Sequence, residues 1–216
     1  MLNLNDFAKE VYQVAVEHGW YENEENRNEE TKFALIHSEF SEALEEYRAG
    51  RPNVWFECKE WEKADADGCV LHSPGVCGLS PRAVCEGRGD KPEGVMIELI
   101  DGCIRILDYL GFKQFIIPET FDTMDKTIEV SRRAFLDAEC REIAELTPPQ
   151  LIYRIHTIVS DASRRENGVI KVITFIGAIG LTFLWIKENG ENPEELMLMK
   201  HNYNKGRPYK HGGKRC

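Results

Sequence analysis

Residues 95–111 read VMIELIDGCIRILDYLG. Placed on a helix, Val95, Met96, Ile97, Leu99, Ile100, Ile104, Ile106, Leu107 and Leu110 cover most of the circumference, and Gly111 is expected to end the element. A helix apolar over so wide an arc belongs inside a bundle. Glu98 and Asp101, three apart, share one side of it, with Asp108 further along. They face an internal cleft, where unpaired carboxylates are costly.

Working outwards, residues 37–50, HSEFSEALEEYRAG, repeat the arrangement. Phe33, Ile36, Phe40, Leu44 and Tyr47 form one apolar stripe at helical spacing, and Glu39, Glu42 and Glu46 lie off it. The pattern predicts a helix over 31–48, stopped by Gly50 and Pro52. Asn5 is a candidate N-cap for an earlier helix that ends at His18 and Gly19. Beyond 111, Pro118 is expected at the first position of a helical stretch reaching about 146. Further helices are expected at 149–165, 169–188 and 193–203. No strand-like alternation is sustained, so the expected class is all-α. Residues 52–93 differ, being rich in Gly, Pro, Cys and Trp; apart from a short helical run around 57–66 they read as an inserted structured loop.

The chain has 216 residues and a formal charge of −10, with 42% hydrophobic and 30% charged residues. That balance suits a soluble globular protein and argues against a general nucleic-acid surface. No basic segment followed by an apolar one opens the sequence, and seven cysteines make an odd count. Together these point to reduced thiols and a cytoplasmic location. Val172 to Ile186 carries no charge. A bilayer span takes about 20 apolar residues, so a buried central helix is expected instead.

Four carboxylates on two facing helices, Glu39, Glu42, Glu98 and Asp101, offer an oxygen-only site suited to Mg²⁺ with substrate phosphates completing its coordination. The plainer alternative is two solvated acidic faces with an Asp101–Arg105 pair four residues apart. A di-iron site would need Glu-x-x-His pairs. Neither Glu39 nor Glu98 has a His three residues on.

The pair ExxE and ExxD, in IHSEFSEALEEYR (36–48) and IELIDGCIRILDYLG (97–111), resembles the MazG-like all-α nucleotide pyrophosphohydrolases, a superfamily that also includes the dimeric dUTPases. The stretch EELMLMKHNYNKGRPYKHGGK (194–214) is similar to the C-terminal part of MazG-like proteins. The resemblance implies hydrolysis of a (deoxy)nucleoside triphosphate to monophosphate and pyrophosphate. It implies Glu39, Glu42, Glu98 and Asp101 as Mg²⁺ ligands, with Mn²⁺ able to substitute, and one of them or Glu46 orienting the attacking water. Basic tail residues would hold phosphate; Lys200 and Arg207 are the candidates here, followed by Asn204 and Lys214. A nucleotide-binding or regulatory protein without turnover is the alternative. Two departures stand out: 55 residues separate Glu42 from Glu98, and about eighty separate the second acidic helix from the tail.

Duplication is the expected reason for the second departure, the alternative being that any two amphipathic helices can be aligned this well. ALIHSEFSEAL (34–44) aligns with YRIHTIVSDAS (153–163) on His37 and His156, matching Glu39 with Ile158 and Glu42 with Asp161. MIELIDGCIRILDYL (96–110) aligns with VITFIGAIGLTFLWI (172–186), matching Glu98 with Thr174 and Asp101 with Gly177. The expected organisation is a MazG-like catalytic half at 1–116 carrying the 52–93 insertion, a degenerate helical half at 117–203, and a basic tail at 204–216. Such a fused pseudo-dimer is either monomeric or a homo-oligomer.

Trp20, Trp55, Phe56 and Trp61 have two readings, as stacking platforms for a nucleobase or as packing anchors. In the insertion, Cys58, Cys69, Cys77 and Cys85 are widely spaced, which favours reduced thiols over structural zinc; Cys69 and His72 are the one conventional hint of a zinc site. Which nucleotide is cleaved is not legible.

Overall fold

Asparagine starts most of the long helices. Asn3 caps α1 (Leu4–Glu17), Asn28 caps α3 (Glu29–Arg48), Asn167 caps α7 (Gly168–Glu188) and Asn192 caps α8 (Pro193–Lys205), each side chain accepting from backbone N–H groups of the first turn. The computed structural model describes residues 2–57, 91–139 and 143–213. Within them the chain is predominantly helical, as expected, and includes a four-residue α2 (Glu24–Arg27), α4 (Val95–Phe112), α5 (Met124–Glu139), a 3₁₀ turn (Ile143–Glu145), α6 (Pro148–Arg164) and a short α9 (Lys210–Gly213).

Three expectations are corrected. Asn5 does not cap α1; its amide accepts from Ile117 N at 2.8 Å and donates to Ile117 O at 3.0 Å, tying the α4–α5 connection to α1. Pro118 does not open a helix. Its carbonyl accepts from Phe121 N at 2.8 Å in a turn, and α5 begins only at Met124. Gly111 does not end α4, which runs on to Phe112. A Cβ at Gly111 would lie 2.4 Å from Ala8 O, so this glycine is there to let α1 approach α4.

The long insertion is closed at its base. Strand β1 (Trp55–Glu57) pairs antiparallel with β2 (Lys91–Glu93), Trp55 opposite Glu93 and Glu57 opposite Lys91. Residues 58–90, which carry Trp61, His72, Cys58, Cys69, Cys77 and Cys85, lie outside the described residues, as does Lys214.

Helix α4 is the hub. It packs against α1, α3, α7 and α8, while α7 packs against α5, α6 and α4, and α3 lies along α6. All the apolar residues expected to surround α4 are buried. Phe33, Tyr109 and Phe175 meet between α3, α4 and α7, with ring centroids 5.1–5.9 Å apart. Helix α7 is long and apolar enough to cross a membrane, but 67% of its apolar window is buried inside the fold, where Trp185 Nε1 donates to Leu146 O at 2.9 Å. It is a core helix by the contacts it makes.

Candidate functional site

Helices α3 and α4 pack along one another, with Phe40 set against Gly102. A Cβ at Gly102 would sit 2.6 Å from the Phe40 ring. Residues one to four positions away on each helix then converge. Glu39 from α3 and Glu98 and Asp101 from α4 place one carboxylate oxygen each within 4.8 Å of one another, and all three residues are buried. Glu42, a turn further along α3, is exposed at the edge of the same cavity and stands outside this triad.

Cations from two directions meet the acids. Arg105 Nε donates to Glu39 Oε1 at 2.9 Å, so its hydrogen bond crosses to α3 rather than going to Asp101 on its own helix. Lys200, from α8, is 1% exposed and holds its Nζ 3.3 Å from both Glu98 Oε1 and Asp101 Oδ2 and 3.5 Å from Pro92 O. Asn204 Nδ2 donates to Asp101 Oδ1 at 3.1 Å, and Asn204 Oδ1 is buried with no hydrogen-bond partner among the described residues. Chain separation hides these contacts from any local pattern, since Lys200 and Asn204 stand about a hundred positions from the acids they touch.

Burial sets the protonation preferences. It pushes the Glu39 carboxyl upward against the pull of Arg105, and raises Glu98 to about 9 despite Lys200. Asp101 is equally desolvated, but Lys200, Arg105 and the Asn204 amide overcome that and hold it below the usual carboxylate range. Lys200, desolvated as well, is kept charged by Asp101 and Glu98.

The cavity beside the triad measures about 210 Å³. Four acids, Glu39, Glu42, Glu98 and Asp101, and four bases, Lys91, Arg105, Lys200 and Arg207, line it together with Trp20. A narrower slot of about 60 Å³ adjoins it between α1, α4 and α8, sharing Trp20, Asp101, Arg105 and Arg207 and adding Val11, Val14, Ala15 and Ile104. Trp20 is thus buried, at 7% exposure, where the two spaces meet. The C-terminal segment is fastened over the slot: Arg207 O accepts from His18 Nε2 at 3.0 Å, Lys210 N donates to His18 O at 3.1 Å, and Lys210 Nζ pairs with Glu22 at 3.0 Å. A larger space of about 630 Å³ lies elsewhere, between the start of α5 and the α7–α8 turn. Its charged lining is Asp125, Glu191, Glu194 and Glu195 against Lys187, so it lacks the balance of acid and base found beside the triad.

Other candidates find structural partners. Glu46 accepts from Trp55 Nε1 at 2.7 Å and from Arg51 at 3.0 Å, fastening the base of the insertion. Trp55 is buried with Arg51 stacked 4.8 Å from its ring, an anchor rather than an open platform. Asp108 accepts from Tyr21 Oη at 2.7 Å and Lys32 Nζ at 3.1 Å, in a buried trio beside the slot. Lys91 and Arg105 are site residues that the sequence reading did not select. Comparison with family models, curated proteins and solved structures finds no match for this chain.

Proposed function

We propose that the protein is a cytoplasmic, Mg²⁺-dependent nucleotide pyrophosphohydrolase of MazG-like type, cleaving a (deoxy)nucleoside triphosphate to monophosphate and pyrophosphate. The observation that carries the reading is the convergence of Glu39, Glu98 and Asp101 on a cavity also lined by Lys91, Arg105, Lys200 and Arg207. An all-oxygen donor set within 4.8 Å fits a hard divalent cation, as does the open carboxylate of Glu42 at the cavity's edge. When bound, such an ion supplies charge neutralisation at the phosphates and lowers the pKa of a coordinated water.

The chain's own residues do the rest. Arg207, Lys91 and Lys200 bind phosphate oxygens; Arg105 fixes the Glu39 carboxylate toward the cavity; Trp20 and the aliphatic side chains of α1 exclude water at the slot. The fused pseudo-dimer has support of its own. His37 and His156, equivalent in the alignment of the two halves, stack with centroids 4.9 Å apart. The hairpins α3–α4 and α6–α7 pack equivalent helix against equivalent helix, α3 on α6 and α4 on α7, and α1 packs on α4 as α5 packs on α7.

A second reading, a nucleotide-binding protein without turnover, draws on the ion pairs that Arg105 and Lys200 make with the acids. Pyrophosphate release from a panel of nucleoside triphosphates separates the two. Release with Mg²⁺, lost with EDTA and in Glu39→Ala and Asp101→Ala, is expected; no release from any triphosphate refutes the hydrolase reading, and Mg²⁺-independent release or parental rates in either variant refute the metal site.

A further inference from the structure

Lys200 is the one buried cation bonded to both Glu98 and Asp101 among the described residues. Its ammonium therefore bonds both α4 carboxylates of the triad a divalent ion would use. Mg²⁺ binds carboxylate oxygens at about 2.1 Å, so an ion on either oxygen stands no more than about 5.4 Å from the ammonium. With the side chain 2% exposed, little water screens that repulsion. Both cations cannot share the pair at low cost.

Lys200 has somewhere to go. It lines the cavity of about 210 Å³ that Arg207 and Lys91 also face, where a phosphate would offer it a new anionic partner. Arg105, by contrast, is bonded to Glu39 across the α3–α4 seam.

We infer that Lys200 is a tethered counter-ion, occupying the metal position on Glu98 and Asp101 until a phosphate in the adjoining cavity draws its ammonium away, so that metal and nucleotide load together. This rests on the proposed metal-dependent reading of the site. It makes Lys200 a positioning residue that sets the order of loading: metal alone binds weakly, and each ligand tightens the other by the same factor.

The test is Mn²⁺ binding, followed by the spin resonance of the free ion, to the full chain without nucleotide. Lys200→Met removes the charge and keeps most of the volume; Lys200→Arg keeps the charge. Lys200→Met is expected to bind Mn²⁺ at least about tenfold tighter than the parent, within the usual range of site coupling. Lys200→Arg should stay weak. Adding an α,β-imido deoxynucleoside triphosphate lends phosphate ligands to Mn²⁺ in both proteins, and should tighten Mn²⁺ on the parent by about tenfold more than on Lys200→Met.

Should Lys200→Met fold poorly without metal, its thermal midpoint should rise with Mn²⁺ by more than the parent's does. Equal Mn²⁺ affinity, or equal thermal shift, in parent and Lys200→Met overturns the inference. Tight Mn²⁺ binding by Lys200→Met with no triphosphate hydrolysed by the parent leaves the exchange standing and removes the hydrolase reading. No Mn²⁺ binding by any form removes both.

Discussion

The imidazoles of His37 and His156 lie ring on ring, 22° from parallel, with their Nδ1 atoms 2.7 Å apart. One nitrogen donates and the other accepts, so the contact needs one neutral ring at least. Burial holds both rings below the ordinary histidine range, and His156 is lowered further by His37. For a base whose folded pKa is depressed, stability is present above the unfolded value of about 6.5 and is lost as pH falls from there through the folded value. The unfolding midpoint of the parent is therefore expected to drop between pH 7 and pH 5 more than that of His156→Gln. Equal acid sensitivity in the two proteins would show that the pair carries no proton linkage.

Two glycines in the core helices should respond oppositely to alanine. At Gly111 the new methyl meets Ala8 O at 2.4 Å, which is backbone and cannot swing aside. Gly111→Ala is expected to cost about 1–3 kcal/mol, the usual price of overpacking. At Gly177, in the middle of α7, nothing lies within 4 Å of the added Cβ. Gly177→Ala should gain about 0.5–1 kcal/mol from helix propensity alone. Urea unfolding reads both, and a shared sign would contradict the packing described.

Asp101 and Arg105 separate catalysis from stability. Asp101→Asn keeps volume and removes a ligand charge, and pyrophosphate release should fall by at least about 100-fold, since loss of groups that only support ligands costs 10–100-fold. Arg105→Met leaves Glu39 buried without its partner. Breaking a buried pair costs about 3–5 kcal/mol, and the 26% exposure of the arginine side chain puts the expectation at the low end. Chemical denaturation monitored by circular dichroism would measure it.

Truncation after Gly206 removes Arg207 together with Tyr209 and Lys210, which both bond Glu22. The α8 contacts to α4 are untouched, so folding should persist. KM for the triphosphate is expected to rise about tenfold or more with the loss of one charged phosphate contact, about 1.5–3 kcal/mol. An unchanged KM would place the tail outside the site.

The helices were legible because their periodicity is sustained over about three turns or more, and three of the four α3–α4 acids because i, i+3 spacing fixes a shared face; Glu42 shares that face with Glu39 yet lies outside the triad. Pro118 and Asn5 misled for a common reason. Both have strong local preferences, and a tertiary contact, the Asn5–Ile117 pair, takes precedence over them. Arg105 looked like an intrahelical partner for Asp101, yet the neighbouring helix offers Glu39 at better reach. The three-residue strands are too short to show alternation. Lys200 entered only through the resemblance of the tail, because nothing in its local spacing reports a partner 102 positions away.

The pairing of Glu57 with Lys91 brings the chain back to where it left. A two-residue Asn-Gly reversal would bridge the same gap. Excision there would shorten the chain by a seventh without altering the distance between the helices that bear the acids. The long spacing that sets this sequence apart from a simple tandem of acidic helices therefore does not by itself part the helices that bear the acids, because β1 and β2 meet at its ends.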